Sequence, residues 1–424
     1  MRQHSPPRLA AAIVSCLRLL SLSLLAVSAG CATPDIPSLT SADAHFGQSE
    51  EEKNLLVRAN ELDQELDSKG MLLETPALVS YLQSVGQPLV PKEAAQRVRF
   101  RFHVLRSPVS NAFALPNGSI YLTVGLLAHL DNEAELAQVM GHEISHVVLR
   151  HGIKSYETNR SRIITAHIAD MFLFGTSLAY LPYVASVASF SREQEEEADV
   201  AGLRSVAARG YSPDEAIRVF ERIQEVKGGE AAEGSWYSSH PSNAQRAEVL
   251  REMVRKGEIP ATRSRGAGPA YREYAALIAE ENIRLKLNAR QYELALDAAT
   301  RSLTEHPDSA LYHFYKGEAY RSMGDDPKGA AREHSWIYGK SYNDALVAEF
   351  EGRRNAFYQS AEKAYQQALA LDSHMLVAQR GLGLVNLGRG EYDAARERLS
   401  AYLAQNKTLS DREYITNLLK GINK

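Results

Sequence analysis

Along the chain the apolar positions change their period. From about Glu50 a helical pattern begins. Between Arg97 and Leu105 the period falls to two, with Val98, Phe100, Phe102 and Val104 alternating with Arg99, Arg101 and His103, which predicts a half-buried strand. Asn111–Leu115 and Ser119–Val124 flank Pro116-Asn117-Gly118, and turn residues between two short apolar runs predict a hairpin. Everything beyond reads as helix. Asn132–His151 carries Leu136, Val139, Met140, Ile144 and Val147 on one side; Asn132 and Glu135 are spaced as a capping box, and Gly152 stands where it can end the helix. Ser191 and Gln194 repeat the capping-box spacing and predict a further helix start. Residues 257–270 make the best linker, between a mixed α/β region and an all-helical tail.

The tail repeats itself. Tyr358, Ala361, Ala368 and Leu369 recur 34 residues on as Tyr392, Ala395, Tyr402 and Leu403, and Tyr292, Ala295, Leu303 and Pro307 have the same internal spacing. Gly317 with Tyr320, and Leu382 with Gly383, fit the first-helix positions. A helix–turn–helix unit of this length with small residues at its close contacts resembles a tetratricopeptide repeat. The stretch 324–357 breaks the register, so one repeat is interrupted or degenerate. The resemblance implies a short α-solenoid with a concave face; an unspecialised helical bundle stays open.

Length and charge bound the rest. A chain of 424 residues suggests two or three domains. With 44% hydrophobic and 24% charged residues it is neither collagen-like nor disordered. A net charge of -4, from 48 basic and 52 acidic residues, gives no general positive field, so nucleic acid is not an expected partner. Two cysteines, Cys16 and Cys31, exclude a disulfide scaffold and a Cys-rich zinc module.

The first thirty residues read as a signal segment, with Arg2, Arg8 and Arg18 as its basic part and Leu19–Ala29 as its apolar part. Its end, Val27-Ser28-Ala29-Gly30-Cys31, resembles a bacterial lipobox. That implies a lipid on Cys31, and Ala32 in place of aspartate implies the outer membrane. Ordinary cleavage near Ala29, leaving Cys31 a free thiol, stays open. Loss of residues 1–30 removes three arginines and no acidic residue, leaving a charge of -7 and one cysteine. The expected organisation is a signal peptide 1–30, a tether 31–48, an enzymatic domain 49–256, a linker 257–270 and a repeat domain 271–424.

Within the predicted helix lies His142-Glu143-Ile144-Ser145-His146. Four residues turn a helix by about 400°, so the two imidazoles share one face and can hold one zinc ion. Glu143 then stands where a carboxylate can take a proton from a polarised water. The apolar flanks place this turn in the interior. A third ligand is needed. His151 is set aside, because a metzincin spacing would require histidine where Gly152 stands. Downstream, Glu195 and Asp199 lie on one helical face, so that one can bind metal while the other accepts an N–H from a ligand histidine. A solvated acidic helix start fits the same residues.

Both segments together, His-Glu-x-x-His and then Ser191-Arg-x-x-Glu195-x-x-Ala198-Asp199, resemble the zinc metallopeptidase family that includes the CAAX prenyl protease, the heat-shock membrane protease and the periplasmic β-barrel assembly-enhancing protease. The resemblance covers about 50–256, and the repeat-bearing tail places the chain nearest in architecture to the last of these. It implies an α+β, mainly α fold: a zincin-type domain with a small sheet, then the solenoid. It implies one zinc held by His142, His146 and Glu195, with Glu143 as general base and Asp199 behind the ligands. Asn111, Ala112, Phe113 and Ala114 match the family's hairpin, whose edge strand pairs with substrate backbone. His240 and Arg246 match a further element, in which the histidine can close the zinc site and the arginine can stabilise the reacting carbonyl; for His240 a surface position at a helix start is equally open. Met171–Phe190 is long enough to span a membrane. It reads instead as apolar helices over the site, because a span would divide His142 from Glu195.

The implied function is a lipid-anchored zinc endopeptidase on the periplasmic side of the envelope. Its expected partners are unfolded or misassembled envelope proteins and, through the repeats, the outer-membrane assembly machinery. A chaperone or scaffold acting through the repeats, with a latent protease site, is the alternative.

Overall fold

The structure is a computed structural model that describes residues 36–42, 49–155, 190–225, 240, 243–260, 269–405 and 410–422. The signal segment, Cys31, most of the tether, the apolar run as far as residue 189, and residues 261–268 of the linker lie outside the described residues. Among the described residues no helix is long and apolar enough to cross a membrane.

The first region opens with helices α1 (Glu50–Ser68), α2 (Pro76–Gly86) and α3 (Lys92–Ala95). Strands β1 (Arg101–Leu105), β2 (Ala112–Ala114) and β3 (Ser119–Thr123) follow, then α4 (Val124–Leu127), α5 (Glu133–Val148), α6 (Arg192–Ala208), α7 (Pro213–Glu225) and α8 (Asn243–Arg255). The strands form one sheet in the order β1-β3-β2, with β1 parallel and β2 antiparallel to β3. The hairpin falls where the sequence predicts it. Gly118 turns it at φ +86, and a Cβ there would sit 2.7 Å from the Arg99 carbonyl oxygen, so glycine is required.

The predicted strand 97–105 begins only at Arg101, because the Arg97 and Val98 N–H groups both bond the Ala94 carbonyl in a turn. Its burial alternates as predicted, with Arg101 and His103 partly exposed between buried neighbours. Phe102 and Val104 enter the main core, and the opposite face is roofed by α1, whose Leu62 and Leu66 pack on Leu105, Phe113 and Tyr121. Asp63 on α1 accepts hydrogen bonds from Arg101, Asn117, Ser119 and Tyr121. One carboxylate thus takes Arg101 of the alternating stretch together with three polar groups of the hairpin. Asp63→Ala strands several of these donors and should cost about 1–3 kcal/mol, read as a lower midpoint in denaturant with an unchanged slope.

The helical tail holds α9 (Pro269–Asn288), α10 (Tyr292–Glu305), α11 (Ala310–Asp325), α12 (Pro327–Ile337), α13 (Asp344–Gly352), α14 (Arg354–Leu371), α15 (Leu376–Gly388), α16 (Tyr392–Gln405) and α17 (Arg412–Ile422). The break in the repeat register is an insertion: α12 and α13 fill it, and α11 packs on α14 across them. The Tyr365 ring of α14 occupies space left by glycines on both neighbouring helices; a Cβ would lie 2.6 Å from it at Gly317 and 2.5 Å from it at Gly381. Tyr358 is buried, whereas its counterpart Tyr392 is 55% exposed. The inserted α12 is tied back by Glu333, whose carboxylate accepts the Glu293 and Leu294 N–H groups at the start of α10. Burial pushes Glu333 up to about 7 against these bonds. A carboxyl raised from 4.5 to about 7 on folding binds more protons folded than unfolded, so it lowers stability as pH rises through that window. Glu333→Gln should flatten this part of the stability curve, measured by thermal unfolding from pH 4.5 to 7.5.

The first helix of the tail belongs to both regions. Tyr271 and Ile278 of α9 sit in the first region's core, and Ile283 in the core of the repeats. The Tyr271 hydroxyl donates to Leu127 O, Arg301 donates to Ala128 O, Lys286 donates to Pro108 O and Arg106 pairs with Glu281.

Candidate metal centre

Helix α5 starts with the Asn132 side chain accepting the Glu135 N–H. The predicted box is only half formed: the Glu135 carboxylate takes the Asp131 N–H and the Asn132 side-chain amide instead. Nor does Gly152 end the helix. Arg150 adopts the left-handed conformation at φ +59, and helix resumes at His151. Helix α6 begins with the predicted Ser191–Gln194 box complete.

Two glycines bring α5 and α6 together. A Cβ built on Gly202 would lie 2.8 Å from the His142 backbone nitrogen, and one on Gly141 would lie 3.1 Å from the Gly202 oxygen. At that approach Glu195 and Asp199, each 2% exposed, face the histidines. The solvated acidic helix start is therefore overturned for these two residues, while Glu193, Glu196 and Glu197 of the same run are exposed. His240 is completely buried, so the surface position is overturned as well.

The donor atoms of His142, His146, Glu195 and His240 all lie within 4.8 Å of one another. His142 Nε2 and His146 Nε2 are 2.9 Å apart, with Glu195 oxygens at 3.5 and 3.6 Å from them. His240 Nδ1 is 2.9 Å from both Glu195 oxygens.

Protonation follows from what stands behind the rings. His142 Nδ1 donates to Asp199 Oδ1 at 2.8 Å. His146 Nδ1 is 3.0 Å from His151 Nδ1, and His151 Nε2 is 3.1 Å from Glu197 Oε2. If His151 gives its proton to Glu197, its Nδ1 accepts from His146. Both Nε2 lone pairs then point inward, at each other and at Glu195. Lone pairs and a carboxylate converging in a buried space, with His240 Nδ1 3.2 Å from His142 Nε2, favour a cation between them, so this donor set fits a metal ion. Burial lowers His146 well below its ordinary value and His151 to about 4, which keeps both neutral. Burial would raise Asp199, but Arg246 and then His142 outweigh it and hold the carboxyl at about 2. For Glu195, burial is likewise outweighed, first by His240. His240 is raised, since Glu195 and Glu143 outweigh its burial.

Arg246 turns Nε and Nη2 to Asp199 at 2.6 and 2.7 Å and Nη1 to Glu195 at 3.0 Å. Glu143 is fully buried, both of its oxygens lack a hydrogen-bond partner among the described residues, and burial raises its carboxyl. Asn111–Ala114 form the sheet edge, with Asn111 N–H on Thr123 Oγ1 at 2.9 Å. His151, set aside as a ligand, is a partner of one. Its only sequence signal is its place just beyond the helix end, and the left-handed arginine that returns it to the site has none.

A helix carrying His142, Glu143 and His146, with a carboxylate supplied by α6, defines the metallopeptidase class. Residues 76–254 match peptidase family M48, and residues 281–333 and 353–409 match the tetratricopeptide repeat. Metalloprotease LoiP of Escherichia coli (strain K12) is 30% identical over 248 residues, 56% of this chain and 95% of that protein. Mitochondrial metalloendopeptidase OMA1 of Arabidopsis thaliana is 36% identical over 149 residues, 35% of this chain and 30% of that protein. The β-barrel assembly-enhancing protease of Escherichia coli (strain K12) is 27% identical over 205 residues, 45% of this chain and 40% of that protein. The chain belongs to peptidase family M48. It spans less than half the length of the last two relatives.

Proposed function

We propose that the chain is a zinc-dependent endopeptidase of the bacterial cell envelope, anchored by a lipid on Cys31 at the outer membrane, that cuts unfolded or misassembled envelope proteins brought to it by the repeats. The observation that carries this is the convergence of His142, His146 and Glu195 beside a buried Glu143 whose oxygens accept no hydrogen bond among the described residues. The names of the relatives, metalloprotease and β-barrel assembly-enhancing protease, support it.

Zinc held by His142, His146 and Glu195 would supply Lewis acidity towards water and the scissile carbonyl. Glu143 takes the proton from the attacking water and delivers it to the leaving amine, a task suited to a carboxyl raised by burial. Asp199 fixes the His142 tautomer, and Arg246 holds Asp199 and Glu195 in place. That makes Arg246 a positioning residue; the reacting carbonyl would have to compete with two carboxylates for it. Ala112 and Ala114 align the substrate as an added strand.

A second reading rests on His240. A catalytic zinc keeps one position open, and His240, 2.9 Å from Glu195, would close it if it served as a fourth ligand. This favours a latent site in a chain that works mainly as a scaffold. One experiment separates the two. The chain from Ala32 onward is incubated with reduced, carboxymethylated casein, stripped by a chelator and reloaded with zinc. Cleavage lost on stripping and restored at one zinc per chain supports the endopeptidase; a zinc-loaded chain that cuts nothing supports the scaffold; no zinc uptake sinks the ligand assignment.

A further inference from the structure

Part of the expected tether is packed rather than loose. Leu39 is 4% exposed and belongs to the main core. Its N–H donates to Val148 O at 2.8 Å, a carbonyl of the last turn of α5, which has no partner within its own helix. Two further bonds hold the same stretch: Arg150 Nη1 donates to Pro37 O at 3.0 Å, and Arg97 Nη2 donates to Ser41 O at 2.9 Å. These residues precede the family match, which starts at residue 76. Arg150 is the left-handed residue, at φ +59, that turns the chain back towards the site. That conformation is unfavourable for a residue with a Cβ, so it needs outside support. The guanidinium provides it. Arg150 is 5% exposed, pairs with the buried Glu52 of α1 and donates to the strand of tether at Pro37. The next residue is His151, whose Nδ1 lies 3.0 Å from His146 Nδ1. Contacts therefore run unbroken from Leu39 and Pro37, through Arg150 and His151, to a proposed zinc ligand.

We propose that residues 37–41 are a strap that positions His146 through Arg150 and His151, so that release of the strap loosens the metal centre. The proposal rests on the endopeptidase reading, in which His146 is a ligand, and it makes Leu39, Arg150 and His151 positioning residues for that site. With the strap docked, His151 stays behind His146 and fixes its tautomer and ring orientation, which is what a ligand histidine needs from its partner. With the strap released, the Val148 carbonyl loses the Leu39 N–H and the left-handed turn loses one of its two clasps. His151 is then no longer held against His146.

The test reads zinc affinity rather than cleavage. The chain from Ala32 onward, Leu39→Asp, His151→Ala and the double variant are titrated with zinc against a chelating dye, and the helical circular dichroism of each is recorded without zinc. An unpaired carboxylate is not tolerated where Leu39 is buried, so Leu39→Asp releases the strap. His151→Ala removes the group behind a ligand and should weaken zinc binding by about 10–100-fold. Leu39→Asp should weaken it by about 10-fold or more, through the same lost partner. The double variant should bind zinc no more weakly than His151→Ala alone, because both changes act through one contact. A strap that only supports the fold would give losses that multiply. Where Leu39→Asp does not fold, Leu39→Ala takes its place in the same cycle. Wild-type affinity in the folded strap variant, or losses that multiply in the double variant, overturns the proposal alone. A wild-type chain that takes up no zinc overturns the ligand assignment and this proposal with it. One that binds zinc and cuts nothing overturns the endopeptidase reading, and the cycle still decides the strap.

Discussion

Replacing Glu143 by glutamine should leave zinc in place and slow hydrolysis by roughly two to four orders of magnitude, the usual contribution of a positioned acid–base group. Glutamine keeps the size and the buried position and removes only the basicity. Glu143 makes no hydrogen bond that the fold needs among the described residues, so the thermal midpoint should hold or rise. Zinc content should stay equal to wild type, because Glu143 is not among the proposed ligands His142, His146 and Glu195. Initial rates on one unfolded protein, with zinc measured on the same samples, give the answer. A glutamine variant that cuts at the wild-type rate removes Glu143 from the chemistry.

Gly202→Val should cause the second large loss, and by a different route. Its side chain would occupy the position 2.8 Å from the His142 nitrogen. Helices α5 and α6 must then separate, and α6 carries both Glu195 and Asp199 away from the histidines. A displacement of about 1 Å at a reacting centre costs on the order of 100-fold, and loss of the partner behind a ligand histidine weakens metal binding by about 10–100-fold. Zinc affinity and rate should therefore fall together, whereas Glu143→Gln separates them. Gly202→Ala demands less separation and should give an intermediate affinity. Equal zinc affinity in all three proteins would show that the helix spacing does not govern the site.

The sequence made the periodic and local features legible. The hairpin, the α6 capping box and the His-Glu-x-x-His turn all depend on residues a few positions apart. What it hid is what depends on a neighbour brought from elsewhere. The burial of Glu195 and Asp199 in an otherwise exposed acidic run depends on Gly141 meeting Gly202, and glycines within a helical pattern were the one available sign. The second face of β1 reads as solvent-exposed because α1, which covers it, lies some forty residues earlier. His151 looks idle because its use depends on a left-handed arginine that no propensity foretells. The repeat spacing showed an interruption, but only the contact of α11 with α14 shows that the two inserted helices leave the solenoid continuous.

Helix α9 bears on how this protein can be taken apart. Tyr271 and Ile278 belong to the core of the first region, and the same helix begins the stack of repeats. A cut made at the linker would strip that core of its lid and leave an apolar face on each fragment, so neither half is a free-standing cassette. Swapping the repeats for those of a relative requires the junction to be placed after Asn288, at the end of the shared helix, and to keep its pairings with Leu127, Pro108 and Arg106.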